Sequence, residues 1–387
     1  MPGNKLVFLL LIALSVSLGS CSNSQEITEE QHPTSTNHKY SYDKLSYQKE
    51  LTKKTPVKKI NDKEIRGIYL NRNSLKEKNL GSYLDLLKST NLNAVVIDIK
   101  DDFGKLTYDS NIETANDIGS DNNPVIADMD EFLERLEKED IYTIGRIVVF
   151  KDPFLAEQKN EYALKRENGS VWSDHGGVKW IDPYKKEAWR YITDIAKEVA
   201  ASGIDEIQYD YIRFPENAKK VDKEITYDNK NNQSKSQLIS SFLEYSKKSL
   251  QNYSVNVSAD VFGLVTTAKD DMGIGQLWEQ ISPNVDYISP MTYPSHYAPF
   301  SYGISNPDEH PYDLLTEAMK DAKQRNEKLS ENGKATATIR PWIQDFNYKS
   351  DYTESDIRNQ LKALKVQGIH QYLLWNASND YTDEAFD

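Results

Sequence analysis

Eight short β-rich segments alternate with amphipathic helical segments along this chain, and no other feature constrains the fold as strongly. Strands that alternate with helices form right-handed βαβ units and a parallel sheet. Eight of them predict closure into an α/β (β/α)8 TIM barrel; the alternative, a doubly wound open sheet, lacks its Gly-rich turn after the first segment. The β-rich segments are Arg66–Asn71, Ala94–Lys100, Tyr142–Phe150, Glu206–Tyr211, Val255–Phe262, Tyr287–Tyr293, Ala335–Trp342 and Ile369–Trp375. The helical segments include Leu80–Ser89, Met129–Glu139, Lys186–Ala201, Leu238–Leu250, Pro311–Gln324 and Glu354–Val366.

The fourth β-rich segment carries polar side chains on one face only. The two-residue period of a strand places Glu206, Gln208 and Asp210 on one face and mostly apolar residues on the other. In a TIM barrel the apolar face packs under helices, and carboxylates at the C-terminal strand ends lie where catalytic groups are found. Asp210 is therefore the first catalytic candidate. The alternative is that it caps the strand end or pairs with Arg213.

The same alternation turns Asp260 of the fifth segment inward, toward the rim that Asp210 faces. Glycosidic bond cleavage requires such a pair, because one carboxyl group protonates the leaving oxygen and the other stabilises or attacks the oxocarbenium-like centre. Aromatic rings and polar groups at the same rim suit sugar rings and their hydroxyls. We predict Asp210 and Asp260 as catalytic residues. As substrate-binding residues we predict Asp98, Arg146, Trp172, Trp180, Gln208, Arg213, Tyr293, His296, Trp342, Asp345 and Trp375.

Motifs for competing chemistries are missing from the sequence. It contains six histidines but no His-x-His or His-Glu-x-x-His, and neither a Gly-x-Ser-x-Gly elbow nor a phosphate-binding loop. Asp98, Asp101 and Asp102 could hold a hard cation such as Ca²⁺ or Mg²⁺, and the alternative is a solvated loop. We predict no metal site and no cofactor. A net charge of −13 argues against nucleic acid as a partner, and we predict a monomer.

The N-terminus predicts export and attachment to a membrane. Lys5 precedes an apolar run from Leu6 to Leu18, which has the length of a secretory signal and is too short to span a bilayer. The run ends in Leu18-Gly19-Ser20-Cys21, which resembles the lipobox of bacterial lipoproteins, so lipidation is expected at Cys21, the only cysteine. The alternative is ordinary cleavage with a free thiol. We predict a signal peptide over residues 1–20, a polar, disordered tether over 21–63 and a barrel domain over 64–387.

Five motifs near the strand ends belong together: Arg66–Leu70, Asp98–Asp101, Asp205–Pro215, Ser289–Pro294 and Arg340–Phe346. They resemble a bacterial family that is assigned to the glycoside hydrolases without a defined substrate, and the resemblance covers nearly everything after the tether. That family has a TIM-barrel fold related to the alpha-amylase-like barrels. Resemblance to the retaining enzymes among those barrels implies that Asp210 is the nucleophile and Asp260 the acid/base. The chain departs from them, since Gln208 stands where they carry Arg and Asp260 where they carry Glu.

A second resemblance gives the alternative function. The family 18 chitinase motif Asp-x-x-Asp-x-Asp-x-Glu, laid on Asp205, places Ile212 where the proton-donating glutamate belongs. Isoleucine cannot act as the acid, so chitinase chemistry cannot run. We predict a lipid-anchored, extracytoplasmic glycoside hydrolase acting on a cell-surface or environmental polysaccharide. The alternative is a catalytically degenerate barrel that binds amino-sugar polymers without cleaving them.

Overall fold

The computed structural model describes residues 63–386. The predicted signal peptide, Cys21 and all of the predicted tether except Lys63 lie outside the described residues. No helix within residues 63–386 has the length and apolar character that crossing a membrane requires.

Parallel strands form a closed ring, which confirms the predicted TIM barrel and excludes the open sheet. The strands are β1 (Arg66–Leu70), β2 (Ala94–Lys100), β3 (Tyr142–Val148), β4 (Glu206–Asp210), β5 (Asn256–Phe262), β6 (Tyr287–Met291), β7 (Thr338–Ile339), β8 (Trp342–Gln344) and β9 (Tyr372–Trp375). Their order in the sheet is β5-β4-β3-β2-β1-β9-β8-β6-β7, and an additional pairing of β5 with β6 closes the ring. Both β7 and β8 pair with β6, and together they make one interrupted barrel strand, so the barrel has eight strands.

Helices follow the strands and cover the outside of the barrel. The helices are α1 (Glu77–Ser89), α2 (Glu113–Ile118), α3 (Met129–Lys138), α4 (Pro153–Gln158), α5 (Lys186–Ala201), α6 (Ala218–Val221), α7 (Lys235–Leu250), α8 (Trp278–Ile281), α9 (Pro311–Glu331) and α10 (Glu354–Val366). Each predicted helical segment forms a helix, although α1 and α7 begin three residues earlier than predicted, α3 ends one residue earlier and α9 continues to Glu331. The capping box of Ser234 and Gln237 explains the earlier start of α7, because it satisfies backbone N–H groups at that end.

The seventh barrel strand differs from its prediction over Ala335–Trp342. It consists of two short pieces, and Arg340 and Pro341 separate β7 from β8. Proline has no N–H to donate to the ladder, so regular pairing stops at Pro341. The backbone N–H of Arg340 still bonds to the carbonyl of Ile288 at 3.0 Å, which keeps the two pieces beside β6. The barrel therefore stays closed across the interruption.

The barrel interior changes from a buried ion pair near its N-terminal end to a cluster of rings and carboxylates near the other end. At the N-terminal end of β4, Glu206 pairs with Arg340, and both side chains are inaccessible to solvent. A small apolar cluster inside the barrel includes Tyr69, Tyr293 and Trp342. The larger apolar core lies between the strands and the helices. The packed barrel interior and the surrounding core therefore support the C-terminal ends of the strands.

Candidate active site

Arg146 in the middle of β3 is the centre of the candidate site. Its guanidinium group bonds to three carboxylates that come from the ends of β2 and β4 and from the loop after β2. Nη1 donates to Asp98 at 2.7 Å, and Nη2 donates to Asp102 at 3.1 Å. Asp210 accepts from Nη2 at 2.6 Å and from Nε at 3.0 Å. The register places Arg146 beside Asp98 on one side and Gln208 on the other, so the strand ladder itself brings these groups together.

The three carboxylates around Arg146 differ in their electrostatic environment. Burial raises the pKa of Asp98 to about 6, although Arg146 and the hydroxyl of Tyr69 oppose that shift. Burial also acts to raise the pKa of Asp102, but Arg146 and Lys151 outweigh it and hold that pKa below its usual value. One guanidinium cation thus faces more than one negative charge at neutral pH. The site attracts protons and positively charged groups.

Both carboxylate oxygens of Asp210 are held. Oδ2 accepts the two bonds from Arg146, and Oδ1 accepts the backbone N–H of Tyr211 at 2.6 Å. Tyr211 has a φ of 48°, in the left-handed region that large side chains seldom adopt. The chain turns sharply there, immediately after β4. Strained residues of this kind concentrate at functional sites.

Asp260 lies on β5, one strand away from Asp210. The pairing of β4 with β5 matches Gln208 with Ser258 and Tyr209 with Ala259, so the next step along both strands brings Asp210 level with Asp260. Oδ1 of Asp260 accepts the indole N–H of Trp342 at 2.8 Å. Two effects raise the pKa of Asp260 well above its ordinary value. Burial is the larger, and the nearby charge of Asp210 is the second. Asp260 therefore carries a proton under conditions in which an exposed aspartate is ionised.

Three aromatic residues, Tyr69 on β1, Trp375 on β9 and Trp342 on β8, form a chain of contacts that runs from Asp98 to Asp260. The rings of Tyr69 and Trp375 are stacked with centroids 4.3 Å apart, and Trp342 meets Trp375 edge-on at 5.5 Å. The hydroxyl of Tyr69 donates to Asp98 at 2.6 Å. The guanidinium carbon of Arg146 lies 5.6 Å from the Trp375 ring centre. Predicted residues Asp98, Arg146, Trp342 and Trp375 are thus brought together with the two catalytic candidates.

Three predicted substrate-binding residues lie in a separate cluster beyond β4. Trp172 and Trp180 are buried, and their indole N–H groups bond to Glu224 and Asp174 at 2.9 and 3.0 Å. Arg213 packs over the ring of Trp180 and donates to the carbonyl of Phe214. These bonds support the loops after β3 and β4. Tyr211 connects this cluster to Asp210, since its ring contacts Trp180.

The remaining predicted residues lie on the β6, β8 and β4 sides of the barrel. Tyr293 packs edge-on against His296, and His296 stacks on the exposed ring of Tyr348. Burial lowers the pKa of His296. Asp345 accepts two bonds from Thr382, while burial raises its pKa to about 6. Gln208 is buried below the carboxylates, where its Nε2 donates to Ser289 at 3.4 Å.

The acidic residues at the end of β2 and in the loop after it have partners within the protein. Asp98 and Asp102 pair with Arg146, while Asp101 accepts the backbone N–H groups of Phe103 and Lys105 within its own loop. Residues 63–386 contain no group of three or more acidic, His or Cys side chains placed to hold a metal. A regular two-residue alternation along β2 would place Lys100 on the inner face beside Asp98, but Lys100 does not lie there. The ladder with β3 shifts between these two residues, and Lys100 pairs instead with buried Asp152 at 2.7 Å.

Sequence reasoning missed Tyr69 and the bond between Asp102 and Arg146. Tyr69 faces inward on β1, where its hydroxyl orients Asp98. The two-residue period of β1 places Tyr69 on the inner face. A buried tyrosine in a strand usually belongs to the core, so this pattern does not distinguish a site residue from a core residue. Asp102 follows β2 in a loop, where no period predicts side-chain direction. Only the folded loop brings it to Arg146.

Comparisons with known proteins agree with the barrel and identify a family. The family model described as "Putative glycosyl hydrolase domain" matches residues 67–381. The glycoside hydrolase domain of PgaB (BpsB) from Bordetella bronchiseptica has the same fold, with a TM-score of 0.59 and 14% identity over 83% of this chain and 97% of that chain. A hypothetical protein from Ruminiclostridium thermocellum ATCC 27405 is 38% identical over 54% of this chain and 98% of that chain, with a TM-score of 0.45. No curated protein matches the sequence.

Proposed function

The chain belongs to this family of glycosyl hydrolase domains, and we propose that it hydrolyses O-glycosidic bonds in a cell-surface or environmental polysaccharide. Asp210 is the anionic partner, which attacks the anomeric carbon or activates a water molecule. Asp260 is the acid that protonates the leaving oxygen. Trp375, a predicted substrate-binding residue whose ring is partly exposed beside this pair, contacts the sugar that is cleaved.

The observation that carries this proposal is the contrast between two neighbouring carboxylates. Asp210 accepts two hydrogen bonds from the Arg146 guanidinium cation, at 3.0 and 2.6 Å. Burial raises the pKa of Asp260 and favours the protonated form. A carboxylate paired with a cation, beside a carboxyl group that burial keeps protonated, is the arrangement that a nucleophile or base and an acid require in hydrolases. The contrast supports the roles that resemblance to the amylase-like barrels implies for Asp210 and Asp260.

Carboxylate-to-amide variants test the proposal. The protein is incubated with peptidoglycan, amino-sugar polymers and alpha-glucans, and new reducing ends are measured. Asp210→Asn and Asp260→Asn should each lower turnover at least about 100-fold, because an amide replaces a group that moves a proton or attacks carbon. Binding of the same polymer should persist. Asp109→Asn, at an exposed residue, is the control and should keep full activity.

Two other outcomes decide against this assignment. Wild-type turnover by Asp210→Asn removes Asp210 from the chemistry. If wild type and both variants bind one amino-sugar polymer equally and none cleaves it, the protein is a degenerate binding barrel instead. Trp375→Ala distinguishes binding from chemistry, since a stacked ring stabilises ground and transition states alike and its loss should weaken binding first.

We further propose that the protein acts outside the cytoplasm while attached to the cell membrane. The support is the sequence Leu18-Gly19-Ser20-Cys21, which resembles a lipobox. Acyl chains on Cys21 would anchor the barrel, and the polar residues up to Lys63 would separate it from the membrane surface. A polysaccharide at the cell surface would then be within reach.

A further inference from the structure

Trp342 has no free ring face for a sugar, although the sequence predicted it as a substrate-binding residue. Its side chain is 1% exposed, and its ring meets Trp375 edge-on. Its backbone carbonyl accepts both the N–H and the hydroxyl of Thr292, at 3.1 and 2.9 Å. Pairing with Leu373 on β9 and Met291 on β6 holds it from both sides. The indole is therefore fixed, and its single polar group is directed at Asp260.

The bond from Trp342 distinguishes the two oxygens of Asp260. Oδ1 accepts the indole N–H at 2.8 Å, whereas Oδ2 accepts no hydrogen bond from any residue between 63 and 386. Indole N–H is only a donor, so Oδ1 must be an acceptor in both protonation states. The proton of the neutral carboxyl group then belongs on Oδ2. A carboxyl group that is bound at one oxygen also loses the freedom to rotate.

We propose that Trp342 is a positioning residue that holds Asp260 through Oδ1 and so makes Oδ2 the atom that delivers the proton. This inference rests on the proposed function. In the step it describes, the Oδ2–H bond breaks while a new O–H bond forms to the glycosidic oxygen. The glycosidic C–O bond breaks with its electron pair on that oxygen, and the cationic anomeric carbon is met by Asp210 or by a water molecule that Asp210 activates.

Other charged groups also act on Asp260, and the test must separate them from Trp342. Asp210 on β4 repels the ionised form, while Arg146 on β3 and Arg340 between β7 and β8 favour it. Tyr293, after β6, faces the same carboxyl group. None of these groups donates a hydrogen bond to Oδ1. A signal that originates in the indole N–H therefore reports on the proposed contact directly.

The test uses indole NMR signals and needs no substrate. The chain contains six tryptophans, so ¹⁵N-tryptophan labelling of the whole protein gives six indole N–H signals. The Trp342 signal is assigned by its loss in Trp342→Phe, or by elimination with the other five Trp→Phe variants if that one does not fold. It should shift as Asp260 loses its proton with rising pH between 4 and 10, and the shift should vanish in Asp260→Asn. Trp278 donates to the Asn326 side-chain oxygen at 2.9 Å, and its signal should not follow that step.

A Trp342 signal that does not change from pH 4 to 10, or that still titrates in Asp260→Asn, overturns the inference whether or not a substrate is known.

Activity provides the second readout on any polymer that the wild type cuts. Trp342→Phe keeps an aromatic ring but no donor, so kcat should fall about tenfold with KM within about twofold. The basic limb of the pH profile should move to higher pH, because the lost bond favours the ionised form of Asp260. Lower stability with unchanged kcat and pH limb marks Trp342 as structural only.

Discussion

At the scale of single residues, the site depends on one cation that neutralises several buried carboxylates. Arg146 is almost fully buried and spans Asp98, Asp102 and Asp210 with three of its nitrogen atoms. Removing one partner from a buried ion pair leaves the other charges uncompensated in a medium of low polarity. Arg146 therefore contributes both to the fold and to the geometry of Asp210.

Replacing Arg146 should cost stability and activity together. Arg146→Met should lower the free energy of unfolding by about 3–5 kcal/mol and abolish turnover, as measured by urea unfolding and reducing-end release. Arg146→Lys keeps a charge but cannot span three carboxylates, so it should recover some stability and little activity. Arg135→Met removes a largely exposed ion pair with Glu77 and should cost less than about 1 kcal/mol. Equal effects of Arg146→Met and Arg135→Met would contradict the central role of Arg146.

Asp345 should make stability depend on pH in a defined direction. Burial raises its pKa from 3.8 to about 6, so the folded protein binds this proton more tightly than the unfolded chain does. Its contribution to stability is complete below pH 4 and is lost as pH rises from about 4 to 6, on the order of 2–3 kcal/mol. Asp345→Asn should lack this loss, as measured by melting temperature across that range. Asp109→Asn is the control and should reproduce the wild-type dependence of melting temperature on pH. If Asp345→Asn also reproduces it, Asp345 is not the group responsible.

At the scale of elements, close packing between the ends of β5 and β6 sets the position of Asp260. Gly263 follows β5, and a Cβ atom there would lie 2.6 Å from the carbonyl oxygen of Met291 and 2.4 Å from the hydroxyl of Tyr297. The first of these atoms belongs to the backbone and cannot move aside cheaply. The glycine therefore allows the two strand ends to approach each other.

A pair of Gly→Ala variants measures this constraint. Gly263→Ala should separate the ends of β5 and β6, destabilise the protein by about 1–3 kcal/mol and lower activity by moving Asp260. Gly81→Ala lies within α1 with no neighbouring atom within 4 Å of the added Cβ. It should stabilise the protein by about 0.5–1 kcal/mol, because alanine favours the helix, and should leave activity unchanged. Thermal unfolding and reducing-end assays measure both; a neutral Gly263→Ala would refute the packing argument.

At the scale of the whole molecule, ring closure removes the sheet edges and collects the strand ends at one rim. β5 pairs with β6 as well as with β4, so the strands near the site are hydrogen-bonded on both sides. Catalytic groups on such strands have little freedom to move, which suits a site that depends on accurate distances. The proposed attachment to a membrane also belongs to this scale, because it would determine where the whole protein acts.

Membrane attachment should depend on the sulfur atom of Cys21, which lies outside the described residues. Cys21→Ala should release the protein from the membrane fraction or leave its leader uncleaved, because no other cysteine can receive the lipid. Fractionation and mass spectrometry of the N-terminus measure this. Ser24→Ala, which leaves all four residues of the motif in place, is the control and should stay membrane-bound. Lipid-modified, membrane-bound Cys21→Ala protein would end the proposal.

The sequence by itself determined the barrel and the main catalytic candidates, because both follow from periodic patterns. The alternation of strands with helices predicted eight strands, and the two-residue period of the strands turned Asp210 and Asp260 inward. The ladder has that register. Tertiary structure alone decided which groups meet. The shift that turns Lys100 toward Asp152, the loop that brings Asp102 to Arg146, and the bond from Trp342 to Asp260 all join residues far apart in the chain. No local period encodes such distances, since they depend on how the closed ring, its bulge and its loops pack.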